Sequence, residues 1–541
     1  MPLTSLRLHA VVLCLSGLCW GCSDTSKPEE PPPPPPEDPW DGTYTPLVEP
    51  TDWGDRGEYA PCSFTVPQGT AIDCDNPSHF DVSQCDLASL ASLDSHGIYQ
   101  IDMRHAAGYP DFAGIRIPQD GSTGTLDGHA LTRQQLPGSF HVATRFPLRG
   151  AERDLALAGC AAPQPDLVTG CFVRCTNGRV GSWGTFEAAR MTWGRGEAES
   201  SGGLRLISER AISMGRPVDV YVHRQHAYVV AIDHDRTEAP GGLTVFDVSD
   251  PSNPIRKKEI TLPGDSYWNA AWAKDDALFI ASRSAGVLVF DISNPADPVL
   301  VRNAPGGGIL DVHTLFVDGN RLYAVSPGPA PHGETLIFDI TTPLNPQLLS
   351  RFQASSTTSL TPSAHDAFAY QDRLYVNHFF AGYIVFDVKD PTNPLELGHY
   401  AFETDNSFTT SHAGAVGTFA GKTIAFEGGE YQGAHLRVLD MTDPTAIPLI
   451  GRYQLRPQTS IHNMFLKGQR LYIAYYHEGL RVLDVANPTQ PREVAYYNTF
   501  RESDPGRTDN LLEGAIGIRV PGDGHVYVVD TTRGLLVFNE L

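Results

Sequence analysis

From residue 203 to the C-terminus the chain repeats one pattern of apolar and polar positions. A short apolar run leads to an acid and then to a link rich in Pro, Asn and Thr. "GLTVFDVSDPSNP" begins at Gly242, "GVLVFDISNPADP" at Gly286, "ETLIFDITTPLNP" at Glu334 and "GYIVFDVKDPTNP" at Gly382. "AHLRVLDMTDPTAIP" follows from Ala434 and "GLRVLDVANPTQP" from Gly479, and "GLLVFNEL" runs to Leu541. Runs this short, dominated by Val, Ile, Leu, Phe and Tyr and bounded by Gly and Pro, predict β-strands. Each unit resolves into four of them. In the sixth they are "IHNMFLK", "LYIAYY", "LRVLDV" and "REVAYYN". The links "GQR" and "HEG" have hairpin length, whereas the Pro-bearing link ends the ladder because Pro has no N–H to donate.

The acids set the register: Asp247, Asp291, Asp339, Asp387, Asp440 and Asp484, with Asn539 in the last copy, at steps of 44 to 55 residues. That period, four antiparallel strands per unit, predicts an all-β fold containing a β-propeller. The seventh unit lacks a fourth strand, and "GLRLISERA" from Gly203 to Ala211 has the character of one. Pairing of that segment with the last unit closes a ring of seven blades and removes a free sheet edge. Equivalent acids in every unit cannot all be one active site. Their expected role is structural, accepting backbone N–H bonds at the turn as Asx residues do.

The Leu-x-Val-x-Asp run with its Pro/Asn turn resembles the LVIVD-repeat β-propellers over about residues 203–541. The resemblance implies a bacterial surface-lipoprotein type of protein, secreted or anchored, and it implies no particular activity, since fold alone does not fix function.

The opening residues fit an exported protein. "MPLTSLRLHAVVLCLSGLCWGC" places Arg7, an apolar run and Gly21 before Cys22, a signal peptide over 1–22 that is too short to span a membrane. The Gly-Cys end makes Cys22 the expected lipidation site. The acidic, proline-rich stretch over 23–40 is an extended spacer. An outer-membrane or cell-surface lipoprotein follows, held to the membrane by its lipid, with a periplasmic or secreted protein as the alternative. Residues 41–202 contain no repeat. They carry Cys62, Cys74, Cys85, Cys160, Cys171 and Cys175, an even number that in an exported chain points to disulfides of open pairing. Pieces such as "SFHVATRFPL" and "GTFEAARMTWG" predict a small disulfide-stapled β-rich region of short strands. The net charge of −23, without a basic patch, excludes nucleic acid as a partner.

Candidate chemistry is confined to one constellation. His313, His365, His412 and His462 open the first strands of four consecutive units. The first strand of a blade lies innermost, so the four imidazoles are expected at one height around the axis. There they would take a single transition-metal ion, with histidine ligation leaving Zn, Cu, Fe or Ni open. Asp219 and Asn269 are the expected counterparts in the first two units, and Asp366 and Asn463 the expected outer acceptors. The segment "EGGEYQGAH" from Glu427 to His435 is longer than its counterparts, an insertion at a blade rim. No GxSxG, HExxH or phosphate-cradling glycine loop is present, which leans against an enzyme. Two readings stand: an anchored propeller scaffold binding a protein or carbohydrate at its face, and a metalloprotein built on the four histidines.

Overall fold

The computed structural model describes residues 40–192, 199–233, 239–328, 333–355, 364–402 and 409–541. The signal peptide, Cys22 and nearly all of the spacer lie outside the described residues.

The repeats form seven blades of antiparallel strands. Blade 1 spans Arg216–Ile260, blade 2 Trp268–Ala304, blade 3 Thr314–Gln353, blade 4 Ala364–Ala401, blade 5 Ala413–Tyr453 and blade 6 Met464–Tyr497. Blade 7 takes three strands from Ala515–Asn539 and its outer one from Leu206–Arg210, which pairs antiparallel with Leu535–Phe538. The ring thus closes through residues at its two sequence ends. Just before this strand, Ser200–Ser201 adds a fifth to blade 6 by pairing with Tyr496–Tyr497.

The hydropathy pattern follows from position within a blade. The second and third strands are covered on both faces by neighbouring blades. Every residue of Ala277–Ser282 is accordingly buried, as are the first five of Gly286–Asp291. The outer strand faces water, and Ile255–Ile260 is exposed along nearly its whole length. The repeated acids act where the sequence places them. Asp247, Asp291, Asp339, Asp387, Asp440 and Asp484 each accept the backbone N–H two residues on, at 2.7–3.1 Å. Asn539 does something a carboxylate cannot. Its Oδ1 accepts from the Arg205 N–H at 2.7 Å and its Nδ2 donates to the Gly203 carbonyl at 3.2 Å. The staple here joins two chain segments, so the amide both gives and takes.

The preceding region is a closed eight-stranded antiparallel barrel built from Gly97–Arg190. Its strands are longer than the sequence suggests, with Ala151–Gln164 running fourteen residues. Tyr99, Ile101, Met103, Phe140, Val142, Leu157 and Phe172 fill the interior. Residues 59–85 lie on the outer wall, pinned by disulfides Cys62–Cys171, Cys74–Cys175 and Cys85–Cys160. Cys171 and Cys175, four positions apart, go to different partners.

Barrel and propeller share a tight contact. The strand Gly97–His105 is buried on both faces because its outer side meets the propeller. Gln100 Nε2 donates to the Asp509 carbonyl at 3.0 Å, and the Arg190 guanidinium pairs with Glu502. A strap over residues 40–53 runs along blades 4 and 5. Tyr44 donates to Asp440 at 2.8 Å, Tyr400 donates to Glu49 at 2.9 Å, and Asp52 accepts the Thr410 N–H at 2.9 Å.

Candidate metal centre

The first strands of the blades surround an axial cavity of about 830 Å³. At several of them the ladder slips by one residue near the start, as between Trp268 and Ala270 and between Ala364 and Asp366. Such a bulge re-aims one side chain, here Asn269 and His365, toward the axis. His313, His412 and His462 sit just ahead of their strands, each still tied by its N–H to the neighbouring strand, at 2.8, 2.8 and 3.1 Å. The equivalent bulge in blade 1, between Pro217 and Asp219, makes Val218 the counterpart of His365 in place of the expected Asp219. In blade 7 the counterpart is Ile516.

The four histidines form an arc. Their ring centroids follow at 4.2 Å from His313 to His365, 4.4 Å from His365 to His412 and 4.2 Å from His412 to His462. His313 is engaged by Asn269, whose Nδ2 lies 3.2 Å from its Nε2. His462 presents Nδ1 to the Ile516 carbonyl at 2.7 Å, which makes Nδ1 the protonated nitrogen and turns the Nε2 lone pair to the cavity. Burial holds His462 down to about 3 and His313 to about 4. His365 and His412 lie well below the ordinary value for the same reason, reinforced by neighbouring imidazoles. All four are neutral near pH 7, the form that donates a lone pair.

A carboxylate completes the arc. Glu430 Oε2 stands 3.6 Å from His412 Nε2, and Glu430 Oε1 stands 3.6 Å from His462 Nε2 and accepts from the Tyr476 hydroxyl at 2.5 Å. One ligand atom each from His365, His412 and Glu430 lie within 4.8 Å of one another. The described arrangement is therefore two histidines and a carboxylate around one point, His462 touching the same carboxylate and His313 one ring further along. Burial raises the Glu430 carboxyl above the usual range. Among the described residues no hydrogen bond joins the Asp366 or Asn463 side chain to the four imidazoles. The Asp366 carboxylate takes the Ala367 N–H at 2.8 Å, and the group that orients His462 is a backbone carbonyl.

Glu430 comes from the long link of blade 5, flagged in the sequence only as a rim insertion. Its position is over-determined. Glu430 N donates to Thr410 Oγ1 at 2.9 Å, the same hydroxyl donates to the Glu430 carbonyl at 2.8 Å, and Tyr431 N donates to Ser460 Oγ at 3.0 Å. Tyr431 and Tyr476 hold φ of 130° and 36°, conformations that side-chain-bearing residues rarely keep without such support and that cluster at functional sites. The strap backs the insertion. A Cβ on Gly433, itself at φ 81°, would sit 2.0 Å from the Asp52 carbonyl. Beneath lies Arg437, which donates to Glu427 at 3.0 Å, to Glu49 at 3.1 Å and to the Thr410 carbonyl at 3.1 Å, and also pairs with Asp52. Of the other histidines, His378 and His477 are buried packing residues, His223 lies at the surface, and His234 is outside the described residues.

The family model described as LVIVD repeat matches residues 215–261, 270–304 and 462–499. No curated protein matches the chain. Among solved structures, the computationally designed Ika8 protein is similar at 12% identity over 62% of this chain and 100% of its own, with a TM-score of 0.43. The WD40 β-propeller domain of Doa1 is similar at 9% identity over 63% of this chain and 97% of its own, with a TM-score of 0.45. The Cps50 (Swd1) β-propeller domain of Myceliophteria thermophila gives 11% identity, 61% and 98% coverage, and 0.41. The structure is thus a seven-bladed β-propeller that carries matched LVIVD repeats in blades 1, 2 and 6.

Proposed function

We propose that the propeller is a metal-dependent binding domain, with one transition-metal ion held at an end of its channel by His365, His412 and Glu430. His462 stands ready as a further ligand, and His313 lines the approach. The carrying observation is the convergence of three ligand atoms from blades 4 and 5 within 4.8 Å, among imidazoles that burial keeps unprotonated. Two histidines and a carboxylate suit Zn, Fe or Mn more than a soft ion such as Cu(I). Protein purified without chelator or metal-affinity resin is expected to carry about one such ion per chain, read by elemental analysis. Metal-free protein that also fails to take up added Zn, Fe or Mn ends this reading and leaves the propeller as a metal-free scaffold for a protein or carbohydrate at its face.

The three disulfides support an exported location, since such bonds persist in oxidising compartments. The sequence around Cys22 supports anchoring through a lipidated cysteine ahead of a proline-rich spacer. Cys22→Ala is then expected to shift the protein from the membrane fraction to the soluble one, because acyl chains supply the attachment. Membrane partition that survives the substitution argues for a secreted or otherwise attached protein.

A further inference from the structure

Three residues along the first strands from the histidine arc lies a second arc. From Asn269, His313, His365 and His462 the step leads to Trp272, Phe316, Phe368 and Phe465, and from the bulge residues Val218 and Ile516 to Tyr221 and Arg519. At strand rise the two arcs are roughly 10 Å apart. Both line the same cavity. Tyr221, Trp272, Phe316 and Phe368 follow one another with centroids at 5.1, 4.7 and 4.7 Å, their planes tilted by 37° to 52°. None of the four is fully buried, unlike the apolar residues of the second and third strands behind them.

Arg519 is set against this arc in a particular way. Its guanidinium lies over the rings of Tyr221 at 5.4 Å and Trp272 at 4.9 Å. Stacking occupies the faces of the guanidinium and leaves its in-plane N–H edge for a ligand. That edge is poorly used within the protein. Nε is buried without a hydrogen-bond partner among the described residues. One terminal nitrogen reaches the Ile518 carbonyl at 3.3 Å, and the other stands 3.7 Å from Asp219, too long for a hydrogen bond. Asp219 Oδ2 meanwhile accepts the Ala271 N–H at 3.1 Å.

We propose that this half of the channel is a binding site for a flat, unsaturated organic carboxylate. Its ring system lies against Trp272, Phe316 and Phe368, and its carboxylate takes the in-plane edge of Arg519. An aromatic wall gives a planar ligand stacking contact, and a guanidinium edge gives a carboxylate a charge-assisted, bidentate partner. The inference does not rest on the metal reading, because every group it uses lies about three residues away from the ligand atoms.

The test uses the full chain, with 2-naphthoate as probe and the uncharged 2-naphthalenemethanol as its partner, each titrated by calorimetry and by quenching of tryptophan fluorescence. The expected result is saturable one-to-one binding of 2-naphthoate, at least tenfold tighter than the alcohol, from the charge-assisted bond to Arg519. R519Q should erase that preference by weakening the acid alone, and F316L should weaken both compounds. Both effects should persist after dialysis against a chelator. Absence of saturable binding, equal affinity for acid and alcohol, or a preference that R519Q retains overturns the proposal. Loss of binding on chelation overturns it in favour of a carboxylate held by the metal. The acid-to-alcohol comparison in unsubstituted protein decides the matter even where a variant fails to fold.

Discussion

Arg437→Leu is expected to destabilise the protein by about 3–5 kcal/mol, the usual cost of removing one partner from a buried ionic cluster. Arg437 is fully buried and bonds to Glu427, which is equally buried, to Asp52 and to Glu49. Burial alone works to keep Glu427 protonated, and the guanidinium is the main force against that. The same arginine holds Glu49 down to about 2 against its own burial. Without the guanidinium, Glu427 in its dry site has to take up a proton or water, and Asp52 and Glu49 keep only His435 as a counter-group. Leucine fills the volume but supplies none of the donors. The loss should be spatially specific, because Asp52 and Glu49 belong to the strap and Glu427 and Arg437 to blade 5. Urea unfolding gives the energy, and limited proteolysis gives the place, with faster cleavage between Trp40 and Asp55 in the variant. Asp52→Asn, which keeps the shape and removes one charge, should be milder. A variant with unchanged urea midpoint and cleavage pattern would show that the cluster contributes nothing to docking the strap.

The propeller was legible because each blade must solve the same problem. A strand covered on both faces reads as an unbroken apolar run, and a staple at the same turn reads as Asp247, Asp291 and their successors. Closure was legible for a related reason. The seventh unit is one strand short, and Leu206–Arg210 supplies it. The histidine arc was readable from spacing, since His313, His365, His412 and His462 recur once per blade. The assignment of Asp219 went astray by a single position, because a bulge at Pro217/Asp219 adds a residue that no hydropathy pattern marks.

What stayed hidden depends on contacts between distant residues. Glu430 joins the histidines through a link whose length, not its composition, was the signal, and Tyr476 enters from a hairpin turn of the next blade. The strap is joined to blade 5 by pairs such as Asp52 with Arg437, 385 positions apart, and no local periodicity announces such a pairing. The barrel was under-read for two reasons. It has no repeat, and Gly97–His105 is buried on its interior face by the barrel core and on its outer face by the propeller. Gln100 and Asp102 thus look like ordinary polar strand positions although both are inaccessible to water.

Metal binding is expected to tighten as pH rises, because Glu430 must give up its proton to ligate. The imidazoles have none to give. Burial already holds His313 to about 4 and His462 to about 3, and His365 and His412 well below the ordinary value. Glu430 is the opposite case, its carboxyl raised by burial and hydrogen-bonded by Tyr476, and a carboxyl that ligates must first ionise. The sign follows directly. While Glu430 binds a proton in the free protein and none in the complex, affinity rises with pH, by up to about tenfold per unit for one proton. Competition at the ligating imidazoles of His365 and His412 begins well under the value of about 6.5 at which unperturbed histidines would lose a metal. Calorimetric titration with Zn in buffers of different ionisation enthalpy counts the protons. Glu430→Gln should abolish any release from the carboxyl and flatten the pH dependence above the range in which the imidazoles titrate, while leaving weaker binding on the histidines. His412→Ala should lower affinity strongly, since it removes one of the three converging ligand atoms, and His462 is the neighbour placed to compensate in part. An unaltered affinity and pH profile in Glu430→Gln would remove Glu430 from the ligand set and return the site to its histidines alone.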